Sequence, residues 1–311
     1  MNKHTHYQLS FAGFSITLLG AVLFSTKAII VKLAFHSTKI DALTLLVLRM
    51  LFSLPFYLVA AWLGSRRENT IRINSRQWLY IIFLGIFGYY LSSLFDFLGL
   101  QWVSAGLERL ILFLYPSFVL LINSFFFHQK ISPFQKWALL LTYAGLVIAY
   151  AGELHLDSAN PNFFLGSSLI FLCSITYAIY IAGSGRLVHQ VGVTRFTAYA
   201  MLFSTAGVFI HFLLSGNGNG NESASKYWLY GVSLALIATV IPTFLISLGM
   251  KKIGASNVAI ISSIGPVSTI LQAWLVLHEK ITYAQITGTA LIISGILLIG
   301  WKTGKSLGQK T

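Results

Sequence analysis

The chain has 311 residues, of which 56% are hydrophobic and 9% charged, with 21 Lys and Arg against 8 Asp and Glu. A soluble domain carries about 25% charged residues and needs them to cover its surface, and disordered chains lack apolar residues in this number, so both classes are excluded. The net charge of +13 does not indicate nucleic acid, because the basic residues fall in short gaps between apolar runs rather than on one surface, and the lone cysteine, Cys173, excludes an internal disulfide or a cysteine-clustered metal site.

Ten apolar runs follow one another, each of the length that crosses a bilayer as a helix. The first, 11–35, contains Lys27 and is followed by no small-x-small cleavage site, which separates it from a signal peptide. Lys32 lies near enough to its outer end to snorkel. The second run, 42–64, carries Arg49, and the third, 77–98, carries Asp96 near its end. The fourth, 105–127, opens on Glu108-Arg109 and has Pro116 midway; the fifth is 134–151. Then come 163–183, 196–214, 227–248, 255–277 with Pro266 midway, and 283–301. The expected fold is an all-α membrane protein of ten transmembrane helices.

Loop charges give an orientation. With the N-terminus inside, the inner segments hold 14 Lys and Arg and the outer loops 3, namely Lys39, Lys226 and Lys280. The positive-inside rule then places both termini in the cytoplasm. Trp62, Trp78, Trp102, Trp137, Trp228 and Trp301 fall at run ends, where an interfacial belt belongs. The longest outer loop, around 215–221, is a Gly/Asn linker with an Asn221-Glu-Ser223 sequon and no evident chemistry.

Shifting the chain by 150 residues aligns 98–145 with 248–295 without a gap, giving 12 identities in 48 positions. Apolar composition alone supplies about a tenth. Composition does not easily place Pro116 on Pro266, His128-x-Lys130-Ile131 on His278-x-Lys280-Ile281, Gln135 on Gln285 or Gly145 on Gly295. Two halves, 1–152 and 153–311, are expected, each with five spans. Five is odd, so the second half enters the membrane inverted. Inverted repeats place a substrate site near the midplane between the halves and alternate its access by rocking them.

The 5+5 arrangement, with Leu248-Gly-x-x-x-Ile-Gly-Ala255, Gly265-Pro266 and the run His278-Glu-Lys-Ile-Thr282 continuing to Gln285, Gly288 and Gly295, resembles the EamA-type branch of the drug/metabolite transporter superfamily over nearly the whole chain. The first half adds Ser104-Ala-Gly-Leu-Glu-Arg-Leu-Ile-Leu-Phe-Leu-Tyr-Pro116, which looks like a subgroup motif. Gln129 stands where an acidic residue is usual, and Glu108-Arg109 is more charged than the fourth span of many relatives. The resemblance implies a substrate-exporting carrier and leaves the substrate open.

Each charge inside a span costs about 2.5–3.5 kcal/mol on insertion scales and needs an explanation. Lys27, Arg49, Asp96, Glu108 and Arg109 all fall in the outer half of the first repeat, and the second repeat has no comparable set. One explanation is structural: Asp96 with Arg109, or Glu108 with Lys27 or Arg49, as ion pairs that lock helices. The other is substrate or proton binding, with Arg49 as the leading residue because a guanidinium grips a carboxylate bidentately. Glu108 is the proton candidate, since successive helix residues point about 100° apart and Glu108 need not pair with Arg109. Pro116 and Pro266 are read as paired breaks that mark the site. Tyr115, Asn123, Ser262, Ser263 and Gln272 lie within two turns of them as candidate polar lining.

The expected function is a secondary carrier that exports or exchanges a small metabolite, an amino acid or related zwitterion, across the cytoplasmic membrane. An organic-anion or organic-phosphate exchanger is the alternative, and a membrane-embedded enzyme a distant one. The expected partners are a small-molecule substrate, the lipid bilayer and protons as a coupling ion still open. Gly183-Ser-Gly185 follows no strand, no Walker sequence occurs and His128 and His278 have no second histidine at zinc spacing. No cofactor, metal or catalytic residue is therefore expected.

Overall fold

The computed structural model describes residues 10–38, 40–67, 72–103, 105–150, 161–215, 227–277 and 281–308. The expected boundary between the halves, the Asn221 sequon and the 278–280 turn lie outside the described residues. All the described regular structure is helical. In chain order it comprises α1 (Phe11–Thr38), α2 (Ala42–Arg67), α3 (Ser75–Phe83), a π-helical segment (Leu84–Tyr90), α4 (Leu91–Gly99), α5 (Ala105–Leu112), α6 (Tyr115–Phe125) and α7 (Pro133–Tyr150). The second half comprises α8 (Phe163–Val191), α9 (Val193–Leu214), α10 (Trp228–Ala235), a second π-helical segment (Leu236–Val240), α11 (Ile241–Ile253), α12 (Ala255–Ile261), a 3₁₀ turn (Ser262–Ile264), α13 (Gly265–Leu277) and α14 (Tyr283–Gly308).

These elements form ten spans in two inverted five-helix repeats, as an all-α membrane protein. Among the described residues, seven helical runs are long and apolar enough to cross a membrane unaided. The fourth span falls short as a single helix because it is broken into α5 and α6. Spans six and eight run on to Val191 and Ile253, past the expected ends. Single glycines then join them to the next helix: Gly192 (φ 94°) and Gly254 (φ 81°) sit in the left-handed region that only glycine enters cheaply, so no longer loop is needed.

The repeat identities now have physical reasons. Ser132 and Gln135 form a capping box at the start of α7, with reciprocal bonds of 3.0 and 3.3 Å. Thr282 and Gln285 form its counterpart at α14, at 2.8 and 3.2 Å. Gly145 lies against Gly288 and Ile292, while Gly295 lies against Ala138 and Thr142. Under the 150-residue shift these contacts exchange with each other, the signature of an isologous two-fold seam. The same symmetry governs the remaining packing: α1 packs on α11 as α8 packs on α4, and α8 on α6 as α1 on α13. The two π-helical segments also fall at equivalent places, in spans three and eight.

Both prolines stand at breaks between helices rather than at kinks within one. Pro116 lies in the first turn of α6, after a turn at Phe113–Leu114. Pro266 lies in the first turn of α13, after the 3₁₀ turn. Ahead of each proline the chain tightens: Leu114 N donates to the Ile111 carbonyl at 3.1 Å, and Gly265 N to that of Ser262. The prolines thus begin new helices, where a missing N–H costs nothing.

Candidate functional site

A narrow cavity lies where spans of both repeats converge. Its walls are Phe24 and Lys27 of span one, Arg49 of span two, Tyr89, Ser92 and Ser93 of span three, Leu112 of span four, and Cys173 and Tyr177 of span six. A second cavity shares Phe24, Tyr89 and Tyr177 and extends to Tyr180 and to Thr243, Ile246 and Ser247 of span eight. Rings surround the junction: Phe24 stacks on Tyr177 at 5.8 Å, and Tyr180 meets Tyr89 edge-on at 5.3 Å.

Arg49 is 1% exposed. Its Nε donates to Thr239 Oγ1 at 2.6 Å, its Nη2 to the Tyr89 hydroxyl at 2.8 Å, and its Nη1 to Ser93 Oγ at a longer 3.4 Å. The guanidinium also faces the rings of Tyr89 and Phe97 at 5.6 and 5.4 Å. No carboxylate among the described residues lies within ion-pair distance of it. Hydrogen bonds from a charged donor each contribute about 1.5–3 kcal/mol, enough to hold the group in place without neutralising it. The π-helical segments create this seat. Each adds a residue to a helical turn and re-aims the side chains beyond it, and Tyr89 and Thr239 belong to the two segments.

The other four charges form a cluster in which Lys27 is the member on the cavity wall. Lys27 Nζ is 2.7 Å from Asp96 Oδ2 and 4.0 Å from Glu108 Oε1. Arg109 Nε is 3.0 Å from Glu108 Oε2, so the two neighbours, which need not pair along a helix, do meet. Yet Arg109 Nε is not aligned to donate, as two adjacent helical residues cannot easily aim at each other; its Nη2 instead donates to the Ser25 carbonyl at 3.3 Å. Asp96 and Glu108 are both fully buried, and the Lys27 ammonium reaches both carboxyl groups. None of their four oxygens accepts an aligned hydrogen bond from a described donor. Lys32 does not snorkel outward: its Nζ donates to the Leu100 carbonyl at 2.7 Å, just past the end of α4.

The cavity thus brings Arg49 and Lys27 together, with Asp96, Glu108 and Arg109 behind them. Tyr115 joins through its ring contact with Tyr177 at 5.1 Å, and its hydroxyl donates to the Ala259 carbonyl at 3.2 Å. The remaining expected residues serve the seam between the repeats rather than this cavity. Asn123 Nδ2 donates to Ser256 Oγ at 2.8 Å, and Gln272 Nε2 to Ser268 and Ser25 at 2.8 and 3.1 Å. Ser262, Ser263 and Pro266 belong to the break in span nine. Sequence reasoning missed Phe24, Tyr89, Tyr177, Tyr180 and Thr239. Tyr177-x-x-Tyr180 was visible as one face of a helix; Thr239 carried no signal of its own.

The profile of the EamA-like transporter family matches residues 11–151 and again 164–301, and the chain belongs to that family. It is a multi-pass membrane transporter. A Bacillus subtilis (strain 168) protein named uncharacterized transporter YcbK is 33% identical over 303 residues, covering 94% of this chain and 95% of that protein. An uncharacterized transporter of Archaeoglobus fulgidus is 23% identical over 302 residues, covering 96% and 98%. A solved crystal structure, 19% identical, superposes with a TM-score of 0.74 over 96% of this chain and 99% of its own, a likeness of fold.

Proposed function

We propose that this transporter is a secondary carrier that exports or exchanges a small carboxylate-bearing metabolite, an amino acid or related zwitterion, across the cytoplasmic membrane. The observation that carries the reading is Arg49: a buried guanidinium lining a cavity shared by both repeats, whose hydrogen-bond partners among the described residues are hydroxyl groups and not carboxylates. A substrate carboxylate would supply the missing anion in bidentate geometry, and the rings of Phe24, Tyr89 and Tyr177 would take an apolar side chain. The cavity offers a single uncompensated cation, since Lys27 is already paired with Asp96.

Transport would proceed by alternating access, with the halves 1–152 and 153–311 rocking about the cavity and both termini in the cytoplasm, the orientation that the loop charges favour. The test is counterflow in proteoliposomes loaded with a mixture of proteinogenic amino acids. Saturable uptake of the labelled mixture is expected. Arg49→Lys should keep the folded protein and lower uptake at least about tenfold, since the charge survives and the planar fork does not. Equal uptake in wild type, Arg49→Lys and Arg49→Leu sinks the assignment.

A further inference from the structure

Asp96 and Glu108 are fully buried carboxyls that share one ammonium, Lys27, at 2.7 and 4.0 Å. Two carboxylates repel, and in a desolvated site that repulsion is weakly screened. Lys27 stands 2.7 Å from Asp96 and Arg109 3.0 Å from Glu108, and these ion pairs leave Asp96 Oδ1 and Glu108 Oε1 without a hydrogen-bond donor among the described residues. Lys32 is committed to the Leu100 carbonyl and Arg49 to its hydroxyl partners. Cys173, the remaining titratable group facing the cluster from span six, is buried on the cavity wall.

We infer that Asp96 and Glu108 form a proton-binding pair that controls Lys27, so that a proton and the substrate carboxylate occupy the carrier together. Lys27 stands between two claims. Its ammonium borders the cavity on one side and touches the pair on the other. With both carboxyls ionised, the pair's two negative charges hold Lys27 and Arg109, and the cavity keeps only Arg49 as a free cation. With a proton shared between the carboxyls, one negative charge is left against two cations, and Lys27 is released toward the cavity as a second anchor for a carboxylate. Each ligand therefore favours the other, and the coupling is reciprocal. The proton travels in the same direction as the carboxylate, so an outward substrate gradient drives both out. This extends the carboxylate-carrier reading and rests on it for the substrate, but not for the proton.

Two measurements test it on the full chain in lipid. Infrared spectroscopy of the wild type at neutral pH should show a protonated carboxylic C=O band that disappears in Asp96→Asn and in Glu108→Gln. An absent band, or one that survives in both variants, overturns the proton pair. Addition of the amino-acid mixture to weakly buffered protein above neutral pH should take up protons in the wild type and none in Glu108→Gln. Proton release, or no change in the wild type, overturns the coupling. Failure of counterflow with the band present discards the substrate reading and leaves the proton pair standing; counterflow without the band does the reverse.

Discussion

Tyr89 and Thr239 occupy equivalent positions in the two repeats, 150 residues apart, and both hold the guanidinium of Arg49, at 2.8 and 2.6 Å. One side chain of span two is thereby tied to spans three and eight at once. A movement that separates those spans must break at least one of the two bonds, so Arg49 is placed to register the relative position of the halves.

Removing either hydroxyl therefore leaves a buried charged donor unpaired in one conformation. Tyr89→Phe and Thr239→Val are each expected to lower counterflow on the order of tenfold, in line with about 1–3 kcal/mol for an orphaned buried group. The double variant should lose less than the product of the two effects, because both act on one guanidinium. Independent, multiplying losses would show that the two hydroxyls do not act through Arg49.

At the seam between α7 and α14 a side chain at Gly288 would run into the Gly145 carbonyl and Ala149. Gly288→Val is expected to cost about 1–3 kcal/mol through overpacking and to lower the thermal midpoint in detergent. Gly265→Ala, where an added methyl meets nothing closer than the ring edge of Phe113 at 3.5 Å, should leave the midpoint nearly unchanged. An unchanged midpoint in Gly288→Val would mean that the seam is looser than drawn.

Orientation is checked by labelling single cysteines in a Cys173→Ala background with a membrane-impermeant maleimide. Position 215, at the end of α9, should react from outside intact cells. Position 72, ahead of α3, should react only after permeabilisation. The reverse pattern overturns the placement of both termini.

Asn123 and Ser256 join α6 to α12 at the end of the bundle that the loop charges place inside. A disulfide between Asn123→Cys and Ser256→Cys, again without Cys173, should stop transport and release it on reduction. Full transport in the oxidised form would show that these two helices stay together throughout the cycle.

Much of this architecture was legible in the chain. Length and hydropathy gave the spans, and Pro116/Pro266, Gln135/Gln285 and Gly145/Gly295 gave the repeat because each has a backbone role that few residues fill: starting a helix, capping one, or letting two backbones touch. Arg49 stood out because a charge in a span demands a partner. Its partners did not stand out. Tyr89 and Thr239 share no chemistry as a pair, and the π-helical segments that aim them leave no mark in periodicity or composition. The pairing of Asp96 with Lys27 rather than Arg109 likewise depends on how α1 and α4 pack, which residue spacing within each span does not encode.

The α7–α14 seam has one more consequence. Because Gly145 meets Gly288 just as Gly295 meets Ala138, the axis relating the two repeats passes through this contact. When two such halves trade conformations, points on the axis map onto themselves and stay still, while displacement grows with distance from it. In the alternating-access cycle proposed above, spans five and ten would serve as the pivot. A pair of spectroscopic probes set at 145 and 288 should keep one separation whatever the carrier is doing, and serves as the fixed ruler against which a pair at 123 and 256 reports motion.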